Sequence, residues 1–122
     1  MNFIDIIKER ARSDKKVIIL PESMDRRVIE AAIEIEKEKI ANIVLIGRKE
    51  DILKTSEGLD ISNINFVDPY TAEITQELIE KLYELRKEKG MTLEEAERLL
   101  KEDYMYYACM LVKTGRADGV VS

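Results

Sequence analysis

The sequence predicts an α/β fold, a three-layer α/β/α arrangement on a mostly parallel sheet. Two short runs, Val17-Ile18-Ile19-Leu20 and Ile43-Val44-Leu45-Ile46, are apolar throughout. They lack the polar alternation of a half-exposed strand and read as strands covered on both faces. Segments with apolar residues at helical spacing alternate with them. The resulting order is helix, then β-α-β-α-β, then helices, then β, which is the signature of a parallel sheet with helices on both faces.

Each element has its own justification. Phe3, Ile6, Ile7 and Ala11 share one face, so residues 2–12 form a short amphipathic helix. A polar break at 13–16 precedes the first strand, 17–20, which Pro21 stops. Ser23 is the expected cap of a helix over 24–38, with Val28, Ala31, Ala32 and Ile35 inward. The second strand, 43–46, ends at Gly47, and a short helix near 48–54 places Ile52 and Leu53 inward. Ile64, Phe66 and Val67 make a third strand, stopped by Asp68-Pro69, because the residue before proline resists the helical region.

A long helix is expected at 72–89, carried by Ile74, Leu78, Leu82 and Leu85 and terminated by Gly90. Thr92 and Glu95 then match a capping box and open a helix to about Lys101. A further helix covers about 103–114 and stops at Gly115. Val120-Val121, within 117–122, reads as a fourth strand with nothing after it to cover it. The chain is therefore expected to be a fragment, or a fold lacking its continuation.

Composition bounds the chemistry. The 122 residues suit one domain, and 45% hydrophobic content is enough for a core. Twenty basic residues against 25 acidic ones give a net charge of −5, so no global field draws in nucleic acid. There is no histidine, which excludes a Ser-His-Asp triad and a His-bearing zinc site within this chain. One cysteine forbids an intrachain disulfide and suits a reducing compartment. No apolar run approaches a membrane span and no signal peptide is recognisable, so a cytoplasmic location is expected.

Polar residues gather where strands end. The first strand delivers Pro21-Glu22-Ser23 and Asp25-Arg26-Arg27, the second Gly47-Arg48, and the fourth Ser122. One reading binds an anion at the helix start. In the other, Ser23 caps, Glu22 and Asp25 match the helix dipole, and the arginines are solvated. Arg86, with Lys87 and Lys89, either complements a helix C-terminus or forms a fork for phosphate or carboxylate. Cys109, spaced with Met105 and Val112, is expected as a buried core thiol. No Walker loop and no GxGxxG occurs.

Four stretches resemble the N-terminal portion of the phosphate acetyltransferases: Leu20-Pro21-Glu22-Ser23-Met24-Asp25-Arg26-Arg27, Ile40-Ala41-Asn42-Ile43-Val44-Leu45-Ile46-Gly47, Tyr83-Glu84-Leu85-Arg86-Lys87-Glu88-Lys89-Gly90-Met91-Thr92 and Ala117-Asp118-Gly119-Val120-Val121-Ser122. The last two are the most specific. The resemblance implies that residues 1–122 are the front portion of the first of two α/β domains, the second being absent. It implies reversible transfer of an acetyl group between acetyl phosphate and coenzyme A. The CoA thiol attacks the carbonyl directly, and the base lies in the missing half, so this chain holds no catalytic residue. It implies that Arg86 contacts substrate and that Ser122 begins the loop lining the active site. Lys87 and Lys89 attract CoA phosphates, while Pro21, Glu22 and Arg27 support the site. Coenzyme A is then a substrate, with no resident cofactor and no metal; phosphate is the other small partner, and the full-length protein is a homodimer. Two alternatives stand beside it: a phosphate butyryltransferase of the same architecture, and a non-catalytic α/β binding module.

Overall fold

The structure, a computed structural model, describes residues 2–122. Its elements follow in chain order: α1 (Phe3–Ser13), β1 (Val17–Leu20), α2 (Arg26–Lys37), β2 (Asn42–Ile46), α3 (Lys49–Thr55), β3 (Asn65–Val67), α4 (Ile74–Arg86), a 3₁₀ turn (Lys87–Lys89), α5 (Leu93–Glu102), α6 (Tyr104–Lys113) and β4 (Gly119–Val120). The strands pair in parallel in the order β3-β2-β1-β4. The three-layer expectation holds, because the pleat of each strand sends alternate side chains to opposite cores. Ile19, Val44 and Ile46 face a core built with Leu78, Leu82, Leu100, Tyr107 and Leu111 of α4, α5 and α6. Leu20, Ile43 and Leu45 face a second core with Ile29 and Ala32 of α2 and Ile52 of α3. Burying each such aliphatic side chain contributes about 1.5–3 kcal/mol.

Helix ends follow local chemistry. Thr92 Oγ1 accepts from the Glu95 amide at 3.1 Å, so Thr92 caps α5 as expected, through this half of the capping box. Gly90 and Gly115 adopt left-handed backbone, with φ of 93° and 79°. Asp103 caps α6 by accepting from the amides of Met105 and Tyr106. The cap of α2, however, is Asp25, whose carboxylate accepts from the Arg27 amide at 2.9 Å. Ser23 is fully buried and its hydroxyl donates to the Ile46 carbonyl at 2.5 Å, so it ties β1 to β2 instead.

Further expectations change. Ala31, Leu53 and Leu85 turn outward, because Ile29 and Ala32 take the inward positions of α2, Ile52 that of α3, and Leu78, Ile79 and Leu82 those of α4. The apolar face of α1 stays open: Phe3 is 76% and Ile4 62% exposed, and no α1 residue is buried. The helix hangs from two polar contacts, Lys8 Nζ on Glu38 Oε1 at 2.8 Å and Arg12 Nε on the Glu38 carbonyl at 2.7 Å. Cys109 is exposed rather than buried. Its spacing with Met105 is real, but that stripe is the outer face of α6, and the core side is Tyr107, Ala108 and Leu111. Among the described residues no helix is long and apolar enough to cross a membrane.

Candidate functional site

Strand order reverses between β1 and β4, since β1 connects outward to β2 on one side while β4 returns on the other. In open α/β sheets the crevice beyond the carboxyl ends at such a switch point is where ligands sit. Here that edge carries Pro21-Glu22-Ser23 after β1 and Val121-Ser122 after β4. β4 is held by Asp118, whose carboxylate accepts from the Val17 amide at 2.8 Å, and by the Val121 amide donating to Ile19 at 3.0 Å. Ser122 is exposed at the end of this strand.

The charges next to β1 are spent on the fold. Asp25 and Arg27 pair at 2.9 Å, and that hydrogen bond, helped by the Arg27 amide, holds the Asp25 carboxyl below its ordinary range. Arg26 donates to the carbonyls of Thr55 and Glu57 at 3.1 and 2.7 Å, fastening α2 to the segment after α3. Arg26 is thus not simply solvated, whereas the Arg27 side chain is 89% exposed, as expected. Gly47 packs against Ser23, and a Cβ there would overlap Oγ.

A polar cluster at the ends of β2 and β3 was not legible in the sequence. Asp68 is buried, and its carboxylate accepts from the amides of Lys49 at 3.2 Å and Tyr70 at 2.9 Å, neutralising the start of α3. Arg48 lies over the Tyr70 ring at 4.7 Å, with Lys101 on the same ring at 5.8 Å. Burial pushes the Tyr104 hydroxyl up, partly offset by its hydrogen bond to the Arg48 backbone. The Asp-Pro-Tyr sequence signals a stop; only the fold brings it to Arg48.

Arg86 stands elsewhere. It lines a groove of about 380 Å³ between α4 and α6, with Leu82 and Met110 as floor and Lys89, Lys113, Tyr106 and Cys109 around it. Both helices contribute residues at one spacing, 82/85/86/89 and 106/109/110/113, which places each set on a single face. The groove has three cations and no carboxylate, in a chain of net charge −5. The Arg86 guanidinium has no hydrogen-bond or ion-pair partner among the described residues, whereas Lys87 is paired with Glu84 at 2.9 Å. None of the groove residues comes from the strand ends, so the structure does not bring Arg86 and Ser122 into one cavity.

The whole described length, residues 2–122, matches the family model for phosphate acetyl/butaryl transferase. The chain belongs to this family. As a family member it is 46% identical over 122 residues to the phosphate acetyltransferase of Thermoanaerobacterium thermosaccharolyticum, and 46% identical to that of Acetivibrio thermocellus. It spans 37% and 36% of the length of those relatives. A solved phosphotransacetylase from Staphylococcus aureus superposes with a TM-score of 0.89 at 33% identity, over 98% of this chain and 36% of that one. One from Streptococcus pyogenes gives 0.87 at 29% identity, over 100% of this chain and 38% of that one. Both bacterial relatives at 46% identity are named for acetyl transfer, which does not favour the butyryl alternative.

Proposed function

We propose that the protein carrying this chain is a phosphate acetyltransferase, moving an acetyl group reversibly between acetyl phosphate and coenzyme A. The observation that carries it is identity of 46% along all 122 residues to an acetyltransferase. The unpaired arginine in the carboxylate-free groove supports it. In this reading the 122 residues are the front of the first of two α/β domains, and the second closes the cleft. Arg86 holds a phosphate or carboxylate oxygen pair of the substrate, where a planar fork binds in a fixed orientation. Lys89 raises the local concentration of anionic substrate. Ser122 belongs to the wall facing the acyl group, and the base that accepts the thiol proton comes from outside this chain. Coenzyme A is a substrate and no resident cofactor is used. The full-length protein works as a homodimer in the cytoplasm.

Phosphate-dependent release of free thiol from acetyl-CoA tests this, using the complete product of the reading frame that encodes the chain. Turnover of order 1–10³ per second is expected, faster than with butyryl-CoA, while the 122-residue chain alone is silent. Absence of thiol release from both acyl-CoAs overturns the reading. Preference for butyryl-CoA replaces it with the butyryl one.

A further inference from the structure

At the amino ends of β2 and β3, the opposite ends from Ser122, lies a cavity of about 650 Å³ between the end of α2 and residues 58–65. Its backbone carries an anomaly. Three helix ends close with the same bond, an amide donating to the carbonyl five residues back: Met91 to Arg86, Arg116 to Leu111 and Ile40 to Ile35. The motif needs a left-handed residue just before that donor, a position at which glycine avoids the Cβ penalty. Two of these ends use it, Gly90 and Gly115. The third uses Lys39 at φ 58°, the one non-glycine residue with positive φ among those described. Left-handed non-glycine residues persist where the surrounding structure holds them, and they cluster at functional sites; Lys39 lines the cavity.

The neighbouring groups say what the cavity suits. Lys15, Lys37 and Lys39 all line the cavity, none with an ion-pair partner among the described residues. Nearby Lys8 and Lys16 are paired, with Glu38 and Asp14. One oxygen of each wall carboxylate is already engaged within the protein, and the charge of Lys37 adds to the Ser62 hydrogen bonds that hold the Asp60 carboxyl below its ordinary range. Glu36 accepts from the Ile43 amide at 2.6 Å, and Asp60 accepts from the amide and hydroxyl of Ser62 at 3.0 and 2.7 Å. The side-chain amides of Asn42, Asn63 and Asn65 also line it and have no protein partner among the described residues. Ile33, Leu59 and Ile64 supply an apolar side.

We propose that this cavity binds a sugar phosphate. The three ammonium groups take the dianionic phosphate. The carboxamides and the free oxygens of Glu36 and Asp60 take hydroxyls, and the apolar side takes the carbon face of the ring. Pockets of this size with few convergent polar groups are typical of small-molecule sites.

The test is a titration of the chain with ribose 5-phosphate at about 0.15 M salt, where exposed charges are screened, followed by amide chemical shifts. Saturable shifts are expected around Lys39 and Asn63, with free ribose and inorganic phosphate each binding at least about tenfold more weakly. Lys39→Gly should melt no lower than the parent, because glycine accepts the left-handed backbone, yet bind ribose 5-phosphate about tenfold more weakly. Lys39→Arg should keep the binding. The proposal is overturned if Lys39→Gly binds as the parent does or melts lower. It is equally overturned if ribose 5-phosphate does not saturate, or if inorganic phosphate binds as well, which leaves an unselective basic patch.

Discussion

The turn after β1 and the groove between α4 and α6 are both rich in arginine or lysine, yet they use charge in opposite ways. After β1, Arg27 is paired with Asp25, Arg26 holds two backbone carbonyls, and Ser23 is committed to Ile46. In the groove, Arg86, Lys89 and Lys113 are all lining residues, and no carboxylate is among the lining. The conspicuous motif is consumed by folding. The plain helix end keeps its hydrogen-bonding capacity in reserve, and a like-charged cluster unfavourable to the free protein is favourable once an anion enters. Unspent charge, rather than motif prominence, is what makes Arg86 the candidate for binding.

The contrast breaks most easily at Gly47. Gly47→Ala forces a methyl group onto the buried Ser23 hydroxyl and disrupts its bond to Ile46. A loss of about 3 kcal/mol is expected, read as a shifted denaturation midpoint with unchanged slope. A loss below about 0.5 kcal/mol would show that the strand junction is looser than described.

Arg86→Ala in the complete enzyme should do the reverse. Melting should hardly move, since no partner among the described residues is lost. A charged hydrogen bond to substrate is worth about 1.5–3 kcal/mol, so kcat/KM should fall by roughly one to two decades. Arg86→Lys should restore only part, because a point charge does not replace the fork. A change within about twofold in kcat/KM would return Arg86 to the role of a helix-end cation.

Cys109 sharpens the same comparison at smaller cost. As an exposed thiol in the groove, it should alkylate fully in the folded chain without denaturant and leave the melting temperature nearly unchanged. Protection until unfolding would place the thiol back in the core.

The smallest effect concerns α1. The hydrogen bond from Lys8, with its charge, lowers the Glu38 carboxyl below the ordinary 4.5. A lowered folded-state value means that the contribution is complete above about 4.5 and fades as pH falls through the folded value. Amide exchange in α1 should therefore accelerate under acid before the sheet loosens. Glu38→Gln should remove that acid dependence, and an α1 equally protected at all pH values would contradict it.

Neighbours along the chain are enough to specify the elements. Apolar runs, Pro21, the Thr92 cap and Gly90 act over a few residues, so their geometry can be read locally. The family is legible in the same way: the Arg86 and Asp118 stretches point to it, and its model matches residues 2–122. Partners across the fold are not. Nothing local to Ser23 shows that Ile46 lies beside it, so its neighbours alone suggest a cap. The helix bearing Cys109 carries apolar residues on both faces and does not state which face the sheet covers. Asp68 and Tyr70 are silent until β3 is set beside β2, which brings them to Lys49 and Arg48. Periodicity fixes a side chain relative to its own element, whereas burial and pairing depend on what that element meets in space, and that is settled by the competition of all apolar faces for two cores.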